Sequence, residues 1–269
     1  MLKKLSIKQL LVLIFFIAGL SLIIGCASTG QKTAESIGLA PDTNILRVGI
    51  TPNAPPLIFK QSNKIVGLEA DLARELAKYL GRTLRFVELE WEELIPALLG
   101  NRIDIVMSGM SITRLREVRI AFSIPYFKSG QMALIRRENS ARFSTGFFAL
   151  TTSSSIGVIK DTTGEYFVET NYSNVKTKTF SAPGAAARAV IDKKIEMFIY
   201  DAPMVLYLAS ENEGKGLTVL SALLTEEYLA WGLRKDNKDL LESTNEFLRT
   251  FNQEGKLNPI IQYWIPFAR

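Results

Sequence analysis

The stretch Ile103-Asp-Ile-Val-Met-Ser-Gly-Met-Ser-Ile-Thr-Arg-Leu-Arg116 passes from an apolar run into small residues and hydroxyls, and then into a basic segment. The apolar run predicts a buried strand over 103–107. Thr113 suits an N-cap, because its hydroxyl can accept from the free N–H groups of a first helical turn, which predicts a helix over 114–119. A strand that ends at Ser108-Gly109 leaves backbone N–H groups without ladder partners. Arg116 adds a planar fork of donors that matches a carboxylate in two parallel hydrogen bonds. The stretch is a strand–turn–helix unit suited to a small anion. Read alone, Arg116 fits a solvated helix arginine better, and Ser108, Gly109 and Ser111 fit an ordinary turn equally well.

The same alternation extends in both directions. Upstream, the pattern predicts strands over 45–50 and 83–89 and a hairpin around Gln61-Ser-Asn-Lys64. Leu72, Leu76 and Leu80 recur at helical spacing, which predicts a helix over 69–80 stopped by Gly81. A further helix is predicted over 91–99. Downstream, a strand over 131–136 leads into a polar stretch, and the pattern restarts. Strands are expected over 156–159, 175–180, 195–200, 217–220 and 228–234. Thr162-Thr-Gly-Glu165 has capping-box spacing for one helix. Others are expected over 185–193, 203–210, 239–252 and 259–264. Strands alternating with helices predict α/β lobes, each a mostly parallel sheet covered on both faces, and the restart predicts two of them. Ligands of such sheets bind beyond the carboxyl ends of the strands. Three of those ends carry polar clusters, at 108–111, 160–163 and Tyr200-Asp201.

The composition narrows the chemistry. The chain has no histidine and one cysteine, Cys26. That leaves no internal disulfide, no histidine-based metal site and no histidine general base. No metal or cofactor is expected. Lys3, Lys4 and Lys8 precede an apolar run over 10–24, the layout of a secretory signal in 1–25. The run is short of the roughly 20 residues a membrane span needs. It ends in Ile23-Ile24-Gly25-Cys26. One reading is an uncleaved anchor helix with an incidental thiol. The other is a lipoprotein signal, since the segment resembles a bacterial lipobox with cleavage before Cys26 and lipid on its sulfur. Loss of the three lysines would lower the formal net charge from +5 to +2. The remaining basic residues are dispersed, which argues against nucleic acid. Residues 26–44 are small and polar and read as a flexible tether.

Four further positions complete a constellation. Asp201 alone reads as the N-cap of the helix that Pro203 opens. Trp91 alone reads as a core aromatic with Ile95 and Leu98. Thr162 and Thr163 alone read as a cap. Together with Arg116 they have a common logic, because an amino acid carries a carboxylate and an ammonium on one carbon. Arg116 and the free N–H groups suit the carboxylate, with a second set of donors at the helix start after Thr162. Asp201 suits the ammonium, and Trp91 offers a flat apolar wall.

From Ile45 to Trp264 the chain resembles the solute-binding proteins, family 3, of polar amino acid ABC transporters. The resemblance rests on Leu46-Arg-Val-Gly49, Gly67-Leu-Glu-Ala-Asp-Leu72, Trp91-Glu-Glu-Leu-Ile-Pro96, Asp104 to Thr113 with Arg116, Ala121-Phe-Ser123, Tyr200-Asp-Ala202 and Gly232-Leu-Arg-Lys235. It implies a hinged, two-lobe clamshell of the type II periplasmic-binding-protein kind. Lobe 1 would comprise 45–128 and 230–269, lobe 2 129–229, joined by two crossing strands. It also implies roles: a stacking aromatic at Trp91, carboxylate contacts at Ser108, Gly109, Ser111, Arg116 and Thr163, and an ammonium contact at Asp201.

The chain departs from the pattern at Ala54, where relatives place a second aromatic. It has Thr51 where binders of basic amino acids place an acid, Asp161 where a glycine is usual, and Ala70 for an aliphatic residue. The expectation is a monomeric, non-enzymatic receptor, anchored through lipid on Cys26, that delivers an amino acid to a membrane permease. Two alternatives stay open. One is a periplasmic enzyme resembling cyclohexadienyl dehydratases, with Glu165 as candidate acid, although Gly164 supplies no polar neighbour. The other is a sensing subunit for a separate receptor. The side-chain pocket expected from Thr51, Trp91, Ile159 and Tyr200 carries no formal charge and favours an uncharged ligand side chain.

Overall fold

The first strand, β1 (Ile45–Ile50), turns Leu46, Val48 and Ile50 fully inward, as a parallel strand covered by helices requires. A computed structural model describes residues 44–143 and 154–267. The signal segment, Cys26 and all of the tether except Asn44 lie outside the described residues. After β1, strands β2 (Asn53–Ala54), β3 (Ile58–Gln61) and β4 (Lys64–Val66) form a small antiparallel sheet. The expected hairpin turns on Ser62 and Asn63, with φ of 48° and 61°. Two successive left-handed residues are what a two-residue hairpin loop needs.

Helix α1 (Leu68–Tyr79) buries Leu68, Leu72 and Leu76 against β1. Each fully buried leucine contributes about 2 kcal/mol. Then come β5 (Thr83–Glu88), α2 (Leu94–Leu99), β6 (Ile105–Val106), α3 (Arg114–Arg119) and β7 (Ala121–Phe122). Strand β8 (Phe127–Ser129) leads to β9 (Gln131–Arg136). After a short α4 (Ser140–Phe143), the pattern continues with β10 (Ser155–Ile159), α5 (Thr163–Asn171), β11 (Lys176–Phe180) and α6 (Pro183–Ile191). Strand β12 (Met197–Asp201), α7 (Ala202–Glu211) and β13 (Leu217–Val219) follow. The chain closes with β14 (Glu227–Leu229), β15 (Gly232–Leu233), α8 (Lys238–Gln253) and α9 (Leu257–Trp264).

Two five-stranded sheets result, in the orders β5-β1-β6-β15-β7 and β11-β10-β12-β9-β13. In each, the first three strands are parallel and the fourth is antiparallel to the third. The likeness extends to packing. A Cβ on Gly49 in β1 would collide with Ile103, and one on Gly157 in β10 would collide with Ile195. Each lobe uses a glycine to admit the isoleucine that precedes its third strand. Between the sheets, β8 and β14 pair antiparallel, with Tyr228 opposite Lys128. The fold is the two-lobe α/β clamshell with two crossing strands.

Three elements differ from expectation. The helix over 91–99 divides into a 3₁₀ turn at Trp91–Glu93 followed by α2. Pro96 explains this, since its ring is tolerated only within the first turn of an α-helix. The strand over 103–107 pairs only at Ile105–Val106. The strand over 228–234 is two strands in two sheets. Between them Ala230 N–H bonds Met110 O, as part of an isolated antiparallel bridge of Ser111 with Leu229, and Trp231 N–H bonds Ser123 Oγ, so the strand does not run on from one sheet to the other.

Candidate functional site

The strand–turn–helix unit reaches the cleft through Arg116. Thr113 caps α3 as expected, its Oγ1 accepting from Arg116 N at 3.2 Å. The half-buried guanidinium then turns across the cleft. Nη1 donates to Ser111 O at 2.9 Å, and Nη2 crosses to lobe 2, donating to Asp161 O at 3.3 Å. It lies 5.2 Å from the Trp91 ring centroid, within cation–π range. Trp91 Nε1 donates to the same Asp161 carbonyl at 3.0 Å. One carbonyl of lobe 2 thus receives the two side chains expected to clamp a ligand. Asp161 has φ +59°, a conformation that disfavours residues with a Cβ and accounts for the glycine usual there.

Loss of solvent pulls the Arg116 pKa below its ordinary value, opposed by Asp201, Glu227, Tyr200 and Asp161. Asp201 holds the N-cap position of α7, but its side chain makes no capping bond. Instead Oδ1 accepts from Gln131 Nε2 at 2.6 Å. Asp201 keeps some exposed surface yet is ringed by protein. Burial, with the charge of Glu227, pushes its carboxyl up to about 7, against the opposing pull of Gln131 and Arg116. An ammonium arriving beside it would favour the ionised form.

The remaining expected residues divide. Ser108 Oγ accepts from Thr51 N at 2.9 Å, and both residues line an interlobe cavity of about 270 Å³. Gly109, at φ +69°, turns its N–H inward to Glu69 Oε1 at 2.7 Å. That donor serves a buried acid on α1. Thr162 Oγ1 caps α5 and donates to Ile159 O, so its hydroxyl is committed to the backbone. Glu165 reaches back to Asp161 N at 2.7 Å instead of to Thr162, so the reciprocal capping box does not form. Thr163 Oγ1 accepts from Gln131 Nε2 at 3.0 Å and donates to Glu227 Oε2 at 2.9 Å. Ser111 Oγ donates to that same oxygen.

Trp91, Tyr200, Ile159, Thr51 and Ala54 line the cavity, together with Asn53, Thr179 and Ser181. Its charged liners are Glu90, Glu92 and Lys160, all solvent-exposed.

Sequence reasoning missed Gln131, Glu227 and the knot at Glu69. Gln131 is a fully buried amide just before the apolar run Met132–Ile135 of its strand, which is the signal that marks it. Glu69 accepts from Gly109 N, Tyr126 Oη at 2.6 Å and Trp231 Nε1 at 2.8 Å. Burial raises its carboxyl to about 7, the three donors pulling the other way. It sits inside the quoted motif Gly67–Leu72, but nothing in that motif names its partners. Glu227 lies in Thr225-Glu-Glu-Tyr228, which carries no local signal.

Arg116 and Asp201, opposite in charge and one from each lobe, lie together at the cleft beside Trp91 on the type II clamshell. Residues 46–267 match the bacterial extracellular solute-binding proteins, family 3, and the chain belongs to that family. It is similar to the L-cystine-binding protein TcyJ of Escherichia coli (strain K12), at 24% identity over 249 residues and 92% of each chain. Among solved structures, a mutant of ArgBP from T. maritima aligns with a TM-score of 0.75 and 31% identity, over 83% of this chain and 96% of that one. The ancestral amino acid-binding protein AncCDT-1, a precursor of cyclohexadienyl dehydratase, aligns with a TM-score of 0.75 and 31% identity, over 82% and 95%.

Proposed function

We propose that this chain is the extracytoplasmic, lipid-anchored receptor of an ABC importer, binding one amino acid between its lobes and delivering it to a membrane permease. The observation that carries this reading is the approach of Arg116 and Asp201, one from each lobe, at a cleft bridged by Trp91 and Asp161. Arg116 takes the α-carboxylate and Asp201 the ammonium. Ser108, Ser111 and Thr163 frame the cleft, while Gly109 and Thr162 shape the turn and helix start that carry them. Charge-assisted hydrogen bonds contribute roughly 1.5–3 kcal/mol each, so three or four supply the roughly 8 kcal/mol of micromolar binding. Ligand contacts to both lobes favour the closed arrangement by a hinge motion about β8 and β14, with lobe boundaries near 128 and 229.

The ligand class is an amino acid with an uncharged polar side chain. Asn53, Thr179 and Ser181 are polar residues lining the cavity, while the Thr51 hydroxyl is held by Leu89 O at 2.9 Å. The anchor is lipid on Cys26, behind a tether that lets the lobes reach a permease. A thermal-shift screen against the amino acids, followed by calorimetry, tests the reading. The expected result is a stabilised melting transition with at least one uncharged amino acid. No shift with any amino acid contradicts it.

One observation favours a second reading. A carboxyl held near 7 in a cleft can serve as a general acid, and AncCDT-1 stands beside a dehydratase. Turnover of prephenate by the purified protein would establish an enzyme, and its absence together with amino acid binding leaves the receptor.

A further inference from the structure

Glu227 stands on β14, one of the two strands that cross between the lobes, and three hydroxyls converge on it. Ser111 Oγ from the lobe 1 turn and Thr163 Oγ1 from the start of α5 donate to Oε2, the latter at 2.9 Å. Thr225 Oγ1 donates to Oε1 at 2.7 Å. Thr225 in turn accepts from Gln131 N at 2.8 Å, and Thr163 accepts from Gln131 Nε2. The side chain is half-buried at the place where the lobes meet.

An ionised carboxylate only accepts, and a hydroxyl has one proton to give and two lone pairs to receive with. The direction of all three bonds follows. Each hydroxyl gives its proton to Glu227 and is left with lone pairs for any other partner. For Thr163 that partner is Gln131. Ser111 Oγ makes no second hydrogen bond among the described residues, so its lone pairs are available.

We propose that Glu227 is a positioning residue of the cleft, whose carboxylate fixes the hydrogen-bond polarity of Ser111 and Thr163, one from each lobe. Ser111 then presents an acceptor to the ligand and serves the ammonium beside Asp201, while the α-carboxylate falls to Arg116. A ligand carboxylate placed against Ser111 Oγ would meet lone pairs and find no donor. The proposal rests on the amino acid reading above and assigns the two ends of the zwitterion to separate groups of residues.

The test is isothermal titration calorimetry on the purified chain with L-glutamine, L-cystine and L-arginine, followed with whichever the unmodified protein binds most tightly. Glu227→Gln keeps the shape but sets an N–H₂ group where only acceptors belong. It is expected to weaken binding about tenfold or more, the effect of one charge-assisted hydrogen bond, with the melting midpoint nearly unchanged. In a Ser111→Ala background the same change is expected to cost less than about threefold, because the hydroxyl it acts through is gone. A purely structural role gives equal costs in both backgrounds. Should E227Q fail to fold, Ser111→Ala with Thr163→Val removes both donors, leaves Glu227 intact, and is expected to reproduce the loss. Unchanged affinity in E227Q, additive costs in the cycle, or unchanged affinity in the paired variant overturns the proposal alone. Failure of the unmodified protein to bind any of the three overturns the amino acid reading, and this proposal with it.

Discussion

Glu69 and Asp201 are two acids whose carboxyls are both raised to about 7, and burial leads the causes in both. Their surroundings differ. Glu69 is fully buried in lobe 1 and receives three donors, from the 108–111 turn, from Tyr126 before β8 and from Trp231 after β14. Both of its oxygens are bonded by protein donors, and it ties the turn to both crossing strands. Asp201 keeps some surface, receives one donor, and has Arg116 and Glu227 near it. A strongly perturbed acid therefore marks a binding site only when its partners are incomplete. The first acid is bonded to three protein donors, and on the function proposed above the second is the one left for a cation.

The largest expected effect separates the two on stability. Glu69→Ala strands three buried donors and should destabilise the fold by about 3–5 kcal/mol, measured by urea denaturation. Asp201→Asn should change stability by less than about 1 kcal/mol. A large stability loss from Asp201→Asn would erase the distinction.

The next effect is pH dependence. Both carboxyls bind their proton more tightly in the folded state than the ordinary value near 4 allows. For each, the folded protein therefore holds more protons than the unfolded chain between about 4.5 and 7. Ligand-free stability should fall as pH rises through that window and level off above it. Ligand affinity should move the other way, because an ammonium requires ionised Asp201 and binding releases its proton. Affinity is expected to rise by up to about tenfold per pH unit below 7 and to flatten above. Calorimetry at several pH values reads this directly, and an affinity that falls over the same range removes Asp201 from the site.

Smaller effects probe what supports Asp201. A Cβ on Gly164 would lie 2.6 Å from Gln131 Oε1 and 3.0 Å from Ile199 O. Gly164→Ala should cost about 1–3 kcal/mol and displace the amide that holds Asp201, so binding weakens too. Asp161→Gly relieves a left-handed backbone and should raise stability by up to about 1 kcal/mol. Binding should be unchanged, since the carbonyl met by Trp91 and Arg116 remains; the melting midpoint and calorimetry check both.

The legible parts of the sequence were those carried by period and local chemistry. Leu72 and Leu76 of α1, the Thr113 cap and the Ser62-Asn63 turn act within a few residues, and each is found where expected, while Leu80 falls at the helix C-cap. Arg116 and Asp201 were legible as a pair only because each has a local environment that matches a family motif. Glu227 and Gln131 were not, because their meaning lies in partners far apart in sequence, such as Ser111 and Glu227. The long strand expected over 228–234 failed for a similar reason. Its apolar pattern is continuous, but Ala230 and Trp231 bond to Met110 and Ser123, which only the tertiary structure supplies.

The most direct test of the clamp is a calorimetric titration of the unmodified protein, Arg116→Ala and Asp201→Asn with the best amino acid from the thermal-shift screen. Both variants should melt within a few degrees of the unmodified protein and lose at least about a hundredfold in affinity, two charge-assisted contacts' worth or more in free energy. Folded variants that bind the amino acid as tightly as the unmodified protein would contradict a site built on these two charges.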